Sequence, residues 1–217
     1  MILVPVKNLR YAKQRLAGVL DQEPRTALAH AMIHDVLETL AGWRNCPEVA
    51  VVSGDTFASD LAREFGFQII VDEDNCGETA AIELGTRVCE SQGAESTLVI
   101  PGDIPLITAS ELDEVLQAAP DRGTVLVPAA DGRGTNAIWR KPAALFPLRF
   151  GNDSFKPHLE AARATGYPCV VLNLPGIALD VDNPSDLQTL AAAPGERRAQ
   201  LFARQIDLAE LPVAPDE

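Results

Sequence analysis

A carboxylate placed just past the end of a buried strand is suited to hold a divalent cation or face a phosphate, and Asp103 has that position. It stands in Pro101-Gly102-Asp103-Ile104-Pro105, directly after the apolar run Thr97-Leu98-Val99-Ile100. Strand propensity cut off by glycine and proline puts the side chain at a strand's carboxyl end. In open α/β sheets that rim is where ligands bind. A second acidic element, Asp180-Val181-Asp182, follows another apolar stretch. If that segment is extended, its two carboxylates project to one face. Meeting Asp103, they would form an all-oxygen site suited to Mg²⁺, which takes a few carboxylates, waters and substrate phosphates. As plain structure the same stretch leads into a helix, with Asn183 as cap, Pro184 at the first helical position and Asp186 favourable to the dipole. That account leaves Asp180 and Asp182 without a role.

The cations are as unevenly placed. The chain carries 18 Lys and Arg against 31 Asp and Glu, net −13, yet Lys7, Arg10, Lys13 and Arg15 crowd into nine positions. Such a charge balance argues against nucleic acid, while a local cation cluster fits a small polyanion. A solvated basic loop is the bland alternative. The loop after a first strand commonly grips phosphates, but here there is neither a Walker loop nor a Gly-x-Gly-x-x-Gly turn. Lys7 and Lys13 are the leading triphosphate contacts, acting as point charges and stabilising charge on a transferring phosphorus. Arg15 can fork onto oxygens. Gly151-Asn152-Asp153-Ser154 precedes a helix with Pro157 in its first turn, where free N–H groups and the dipole suit an anion. Structurally it is an N-cap, with Ser154 or Asp153 as the capping side chain. Thr135, beside Gly134, adds a hydroxyl where a ligand can approach closely. His30 and His34, four apart on a helix, read as a surface pair, and no histidine or cysteine constellation suggests a nucleophile.

These residues need a frame, and 217 residues with 47% apolar content suffice for one α/β domain. Strands are expected over 1–6, 48–53, 67–71 and 97–100, alternating with helices over 24–41, from Asp55 to Gly66, and over 78–89. Thr108 and Glu111 have capping-box spacing before a further helix. This is the pattern of right-handed βαβ units, a mostly parallel sheet with helices on both faces. In the second half, strands 124–128 and 135–139 flank the turn Asp131-Gly132-Arg133-Gly134. A helix over 152–164, a strand over 169–174 and a helix from Asn183 follow. Residues 1–192 read as the domain and 193–217 as a helix or tail of it, frayed over 212–217. Four dispersed cysteines without a Cys-x-x-Cys pair favour a reducing cytoplasm over disulfides or zinc. No signal peptide or membrane span is visible.

Val4-Pro5-Val6-Lys7, Lys13-Gln14-Arg15-Leu16, Pro101-Gly102-Asp103-Ile104-Pro105, Gly134-Thr135-Asn136-Ala137, Phe150-Gly151-Asn152-Asp153-Ser154-Phe155 and Leu179-Asp180-Val181-Asp182 occur together and in this order. In that combination, from about residue 1 to 192, the chain resembles the phospholactate and phosphoenolpyruvate guanylyltransferases of deazaflavin coenzyme F-420 biosynthesis. The resemblance implies a three-layer, glycosyltransferase-A-like nucleotidyltransferase. In it a small phosphorylated carboxylic acid (phosphoenolpyruvate, 2-phospholactate or 3-phosphoglycerate) attacks the α-phosphorus of GTP and pyrophosphate leaves. By motif match, Asp103, Asp180 and Asp182 would carry Mg²⁺. Thr135, Gly151 and Ser154 would hold the acid, and Lys7, Lys13 and Arg15 would face the triphosphate. Relatives tend to have Gly-Leu-Asn where this chain has Gly77-Glu78-Thr79. There Glu78, with Thr79, would contact the nucleotide by accepting from guanine, or Glu78 is a helix-start carboxylate. The alternatives are another Mg²⁺-dependent nucleotidyltransferase, of molybdopterin or sugar-phosphate type, and a nucleotide-binding protein without catalysis. The oligomeric state is open, a homodimer included.

Overall fold

Every residue of β1 (Ile2–Val6) and β2 (Val49–Ser53) is buried, which is how strands covered by helices on both sides must look. Side chains alternate between the two covers. Ile2, Val4, Val49, Val51, Leu98 and Val125 join one apolar cluster, whereas Leu3, Ala50, Val52, Val99, Leu126 and Ile138 join the other. Each fully buried Val, Leu or Ile contributes about 1.5–3 kcal/mol relative to exposure.

The coordinates are a computed structural model describing residues 1–74, 76–151 and 153–206. Seven strands, completed by β3 (Gln68–Val71), β4 (Thr97–Val99), β5 (Gly123–Pro128), β6 (Thr135–Lys141) and β7 (Cys169–Val171), form one sheet in the order β3-β2-β1-β4-β6-β5-β7. All pairings are parallel except those of β6, which runs antiparallel to β4 and β5. The helices are α1 (Gln22–Gly42), α2 (Thr56–Glu64), α3 (Glu78–Ser91), α4 (Ala109–Gln117), α5 (Phe155–Ala164), α6 (Pro175–Ala178), α7 (Pro184–Ala192) and α8 (Arg198–Gln205). Residues of α1, α2, α4, α6, α7 and α8 pack into the first cluster, those of α3 and α5 into the second. On the α3 face a Cβ at Gly85 would come within 2.8 Å of Val52, so glycine sets how closely that helix lies on the sheet.

The mostly parallel three-layer architecture expected from the sequence is therefore present. The strand expected over 169–174 stops at Val171, because Pro175 opens the short helix α6. The expected start of α5 at Asn152 and the fraying over 212–217 lie outside the described residues, as does 207–211 of the expected tail. His30 and His34 do more than face solvent: His30 stacks on Phe57 with ring centroids 3.7 Å apart, and His34 meets Phe65 edge-on.

The C-terminal helix is fastened to α1 by a buried acid. Asp35 is fully buried, and its oxygens accept from the first N–H groups of α8, Arg198 at 3.1 Å and Ala199 at 2.9 Å. His34, Asp35 and Glu38 bring ligand-type atoms within 4.8 Å of one another. Their partners are nevertheless on α8: the Arg198 guanidinium also contacts His34 and Glu38. Asp35→Ala should lower the unfolding free energy by about 1–3 kcal/mol, the cost of stranding buried donors. Urea denaturation should show that loss while activity per folded molecule stays unchanged.

Candidate functional site

Running β6 antiparallel brings its first residues to the rim formed by the carboxyl ends of β1 and β4. The loop after β1, the Asp103 turn after β4, the start of β6 and the Asp180–Asp182 segment thus share one edge of the sheet. The loop after β1 is pinned at several points. Asn8 accepts from Arg10 N–H, and Asp55, the cap of α2, accepts from Leu9 N–H at 2.9 Å. The Arg25 guanidinium, buried on α1, donates to Gln14 and Gln22, and the Gln22 amide in turn donates to Arg10 O. Between two single 3₁₀ turns, 9–11 and 14–16, Lys13 adopts a left-handed backbone, φ 55°. That conformation is costly for a residue with a Cβ, and it turns the side chain inward.

There the Lys13 ammonium lies 2.8 Å from Asp103 Oδ2 and 2.8 Å from Asp182 Oδ1. Its side chain is only 6% exposed. Burial works against its charge, yet the two carboxylates outweigh that and hold its pKa above the ordinary lysine value. Asp182 feels the reverse: burial opposes its charge, but Lys13, then Arg15 and Lys7, keep its carboxyl below the usual range. Arg15 Nη1 is 3.3 Å from the second Asp182 oxygen.

The backbone around these aspartates is built to aim them. Val181 N–H donates to Asp103 O at 3.2 Å, tying the two acidic elements together. Asn183 and Asp186 form the capping box that starts α7, and Asp186 Oδ2 also accepts from Asp182 N–H at 2.9 Å. Asp186 is structural, as the sequence suggests, and what it holds is the Asp182 backbone. Asp180 is gripped by Asn136 Nδ2 at 2.9 Å. Burial first, then Asp103 and Asp182, push the Asp180 carboxyl up to about 6.

Two adjoining clefts share Lys7, Arg15, Glu78, Pro101, Asp103 and Asp182. The first, about 560 Å³, runs under the β1 loop onto Ala29, Met32 and Ile33 of α1. The second, about 410 Å³, is lined by Thr135, Gly151, Ser154 and Asp180. Lys13 lines the first cleft, but its charge is committed to Asp103 and Asp182. Lys7 is 62% exposed and lies 3.5 Å from Glu78 Oε2 at the start of α3. Burial pushes the Glu78 carboxyl up and Lys7 pulls it back. Thr79 lines neither cleft; its hydroxyl accepts from Phe150 N–H at 3.0 Å. Ser154 occupies the cap position of α5 but makes no capping bond. Its Oγ accepts instead from Thr135 N–H at 3.0 Å, while Asp153 pairs with Arg133. Three residues matter more than sequence reasoning gave them: Asn136, Asp186 and His158, whose Nδ1 is 2.9 Å from Thr135 Oγ1. The capping-box spacing signals Asp186; nothing local signals the other two.

The donor set suits a hard cation. Asp103 and Asp182 already share one positive charge, and Asp180, raised first by burial and then by its acidic neighbours, is a third carboxylate whose side-chain partner is the Asn136 amide. A divalent cation takes such oxygens. The family model described as guanylyl transferase, CofC like, matches residues 1–215. The chain belongs to the CofC-like guanylyltransferase family. A phosphoenolpyruvate guanylyltransferase of Roseiflexus castenholzii is 37% identical, over 94% of this chain and 93% of its own. A 2-phospho-L-lactate guanylyltransferase of Methanothermobacter thermautotrophicus is 30% identical, over 94% and 89%. Among solved structures, one from Desulfovibrio desulfuricans G20 described as a nucleotide-diphospho-sugar transferase superposes with TM-score 0.77 at 20% identity, covering 95% of this chain and 94% of its own. The chain is thus a nucleotidyltransferase with the guanylyltransferase fold, in a class of enzymes that generally works with a divalent metal.

In this CofC-like protein the raised Asp180 pKa has a sign that can be read directly. A folded value of about 6 against 3.8 means that the fold favours the protonated acid. Its contribution is fully present below 3.8 and is lost as pH rises through 6. In metal-free buffer, Asp180→Asn should melt above the unmutated protein at pH 8, with the advantage closing as pH falls from 6 to 4. Calorimetry across that range checks both the direction and the window.

Proposed function

We propose that this guanylyltransferase joins the GMP part of GTP to a small phosphorylated carboxylic acid and releases pyrophosphate, as a step in making coenzyme F-420. Phosphoenolpyruvate is the first acceptor to test, because the phosphoenolpyruvate-named relative shares more identity than the 2-phospholactate-named one. The observation that carries the reading is the wall common to both clefts, where Lys13 joins Asp103 to Asp182. A reaction between two phosphates needs such a wall: one substrate on each side and compensated charge between them.

In this reading GTP fills the first cleft, its triphosphate toward Lys7, Lys13 and Arg15. Glu78 at the cleft wall is the acceptor offered to guanine N–H groups. The phospho-acid lies in the second cleft against Thr135, Gly151 and Ser154, where Gly151, at φ 134°, holds a backbone closed to other residues. A phosphate oxygen of the acid bonds to the α-phosphorus, the bond from that phosphorus to the bridging oxygen of pyrophosphate breaks, and the departing oxygen keeps the electron pair. The nucleophile is already anionic, so no side chain has to remove a proton. What the chain supplies is positioning and compensation of charge. Asp103, Asp180 and Asp182 would hold Mg²⁺, whose chemistry is to neutralise phosphate oxygens. Among the described residues no helix is long and apolar enough to cross a membrane. Small soluble substrates and free cysteines suit the cytoplasm, and the reaction calls for no nucleic acid.

A pyrophosphate-release assay crossing GTP, ATP, CTP and UTP with phosphoenolpyruvate, 2-phospholactate and 3-phosphoglycerate tests the reading, which predicts Mg²⁺-dependent turnover with GTP. No release with any of the three acids would end it. Asp103→Asn and Asp182→Asn should each reduce turnover at least about 100-fold, the scale of losing a transition-state charge partner, with melting temperatures showing a folded protein. Ser154→Ala should raise the KM for the acid about 5- to 10-fold, the worth of one hydrogen bond to a charged group, and leave that for GTP in place. Equal effects on both substrates would move Ser154 out of the acceptor cleft.

A further inference from the structure

The second cleft is backed by a buried histidine that the reaction as written does not use. His158, 1% exposed, lies on α5 one turn beyond Ser154, its ring edge-on to Phe150 at 4.9 Å between centroids. Its Nε2 is 2.9 Å from the Arg149 backbone nitrogen. A backbone N–H can only donate, so Nε2 is the bare nitrogen of the ring. The ring proton is therefore on Nδ1, and the 2.9 Å bond to Thr135 Oγ1 runs from imidazole to hydroxyl. Burial, with Arg140 adding to it, lowers the ring's pKa to about 4, in keeping with a neutral imidazole.

This direction decides what Thr135 can offer. Its oxygen accepts from His158, and its own proton has no acceptor among the described residues. Ser154 is in the same condition, because its oxygen accepts from Thr135 N–H. Thr135 and Ser154 are 5% and 4% exposed, and both line the second cleft. Two hydroxyls that already accept from buried N–H groups have donation left to give. The ligand that satisfies both is an oxygen carrying only lone pairs, as on a phosphate or carboxylate.

We propose that His158 is a positioning residue for the acceptor: by donating Nδ1–H to Thr135 it fixes that hydroxyl as a hydrogen-bond donor to the anionic oxygens of the phospho-acid. The proposal rests on the second cleft being the acceptor's.

Two near-isosteres separate its two ring bonds. His158→Asn keeps an N–H where Nδ1 stands and loses the acceptor for Arg149. His158→Gln keeps an acceptor near Nε2 and loses the donor to Thr135. With GTP saturating, His158→Gln should raise the KM for phosphoenolpyruvate about 10-fold, while His158→Asn stays within about 3-fold of the unmutated protein. The KM for GTP should be unchanged in both. Thr135→Val should match His158→Gln, and adding His158→Gln to it should cost nothing more. Equal losses in the two His158 variants, parallel changes in both KM values, or multiplying effects in the double variant would each overturn the proposal. A direct measurement needs no variant. ¹⁵N spectra of the unmutated protein should show the Nδ1–H form of the His158 ring at neutral pH, and the opposite tautomer refutes it. If the unmutated protein turns over no acid at all, the assignment of the cleft fails first and takes this proposal with it.

Discussion

A single ammonium holds together acids that the chain keeps 90 and 169 positions away from it, Asp103 and Asp182. Neither side of that contact is stable alone. A lysine 6% exposed would not keep its charge without counter-charge, and three aspartates gathered at one rim would repel one another. The left-handed backbone at Lys13 and the hydrogen bonds that pin the β1 loop through Asn8, Gln14, Gln22, Arg25 and Asp55 serve the same end. They deliver one positive charge to one place. Because Asp103 and Asp182 face both clefts, that charge also fixes the wall between them.

The net charge of −13 makes this local arrangement necessary. GTP and a phospho-acid are polyanions, and the protein as a whole repels them. Cations at the mouth of a cleft with low-dielectric walls act over the distances that matter. Lys7 and Arg15, both more than 60% exposed, stand at the seam of the two clefts. Deeper in, Lys13 compensates Asp103 and Asp182, and Asp180 is left lining the second cleft with a carboxyl raised to about 6. The divalent cation proposed for this site would supply the charge such a group lacks. On this view the acidic trio is matched to the charge of the loaded site.

Elements whose signals are local could be read from the sequence. Glycine and proline after an apolar run located Asp103, two-residue spacing placed Asp180 and Asp182 together, capping-box spacing identified Thr108 and Glu111, and Asn183 before Pro184 read as the cap it is. The cluster of four cations marked out the loop after β1. It could not tell that Lys13 points at aspartates, since that depends on a left-handed residue between two short 3₁₀ turns. Ser154 shows the same limit. By position it is a cap, but the Thr135 N–H, 19 residues away, takes its oxygen. Thr79 is spent on Phe150 for a like reason. In each case a donor distant in the chain takes the hydroxyl oxygen, because an N–H shut off from water is costly to leave unpaired.

The fate of Thr135 turns on one irregularity in the sheet. Along β6, Ala137 and Trp139 pack into the α1 side of the sheet and Ile138 into the α5 side. Strict alternation would send Thr135 with Ala137, away from α5, and Asn136 with Ile138, toward it. The pairing breaks the alternation: Val127 faces Ala137 but its neighbour Pro128 faces Thr135, so Asn136 is one residue too many on its strand. An inserted residue of this kind re-aims the side chains around it. Thr135 reaches His158 on α5, and Asn136 reaches Ile177 O, Ala178 O and Asp180 on the other side. Pro128 has no N–H to offer the ladder at that point, so the distortion removes little pairing that was available. One extra residue thus divides two neighbours between two tasks, the hydroxyl lining the second cleft and the grip on the third carboxylate, which a regular strand would have exchanged.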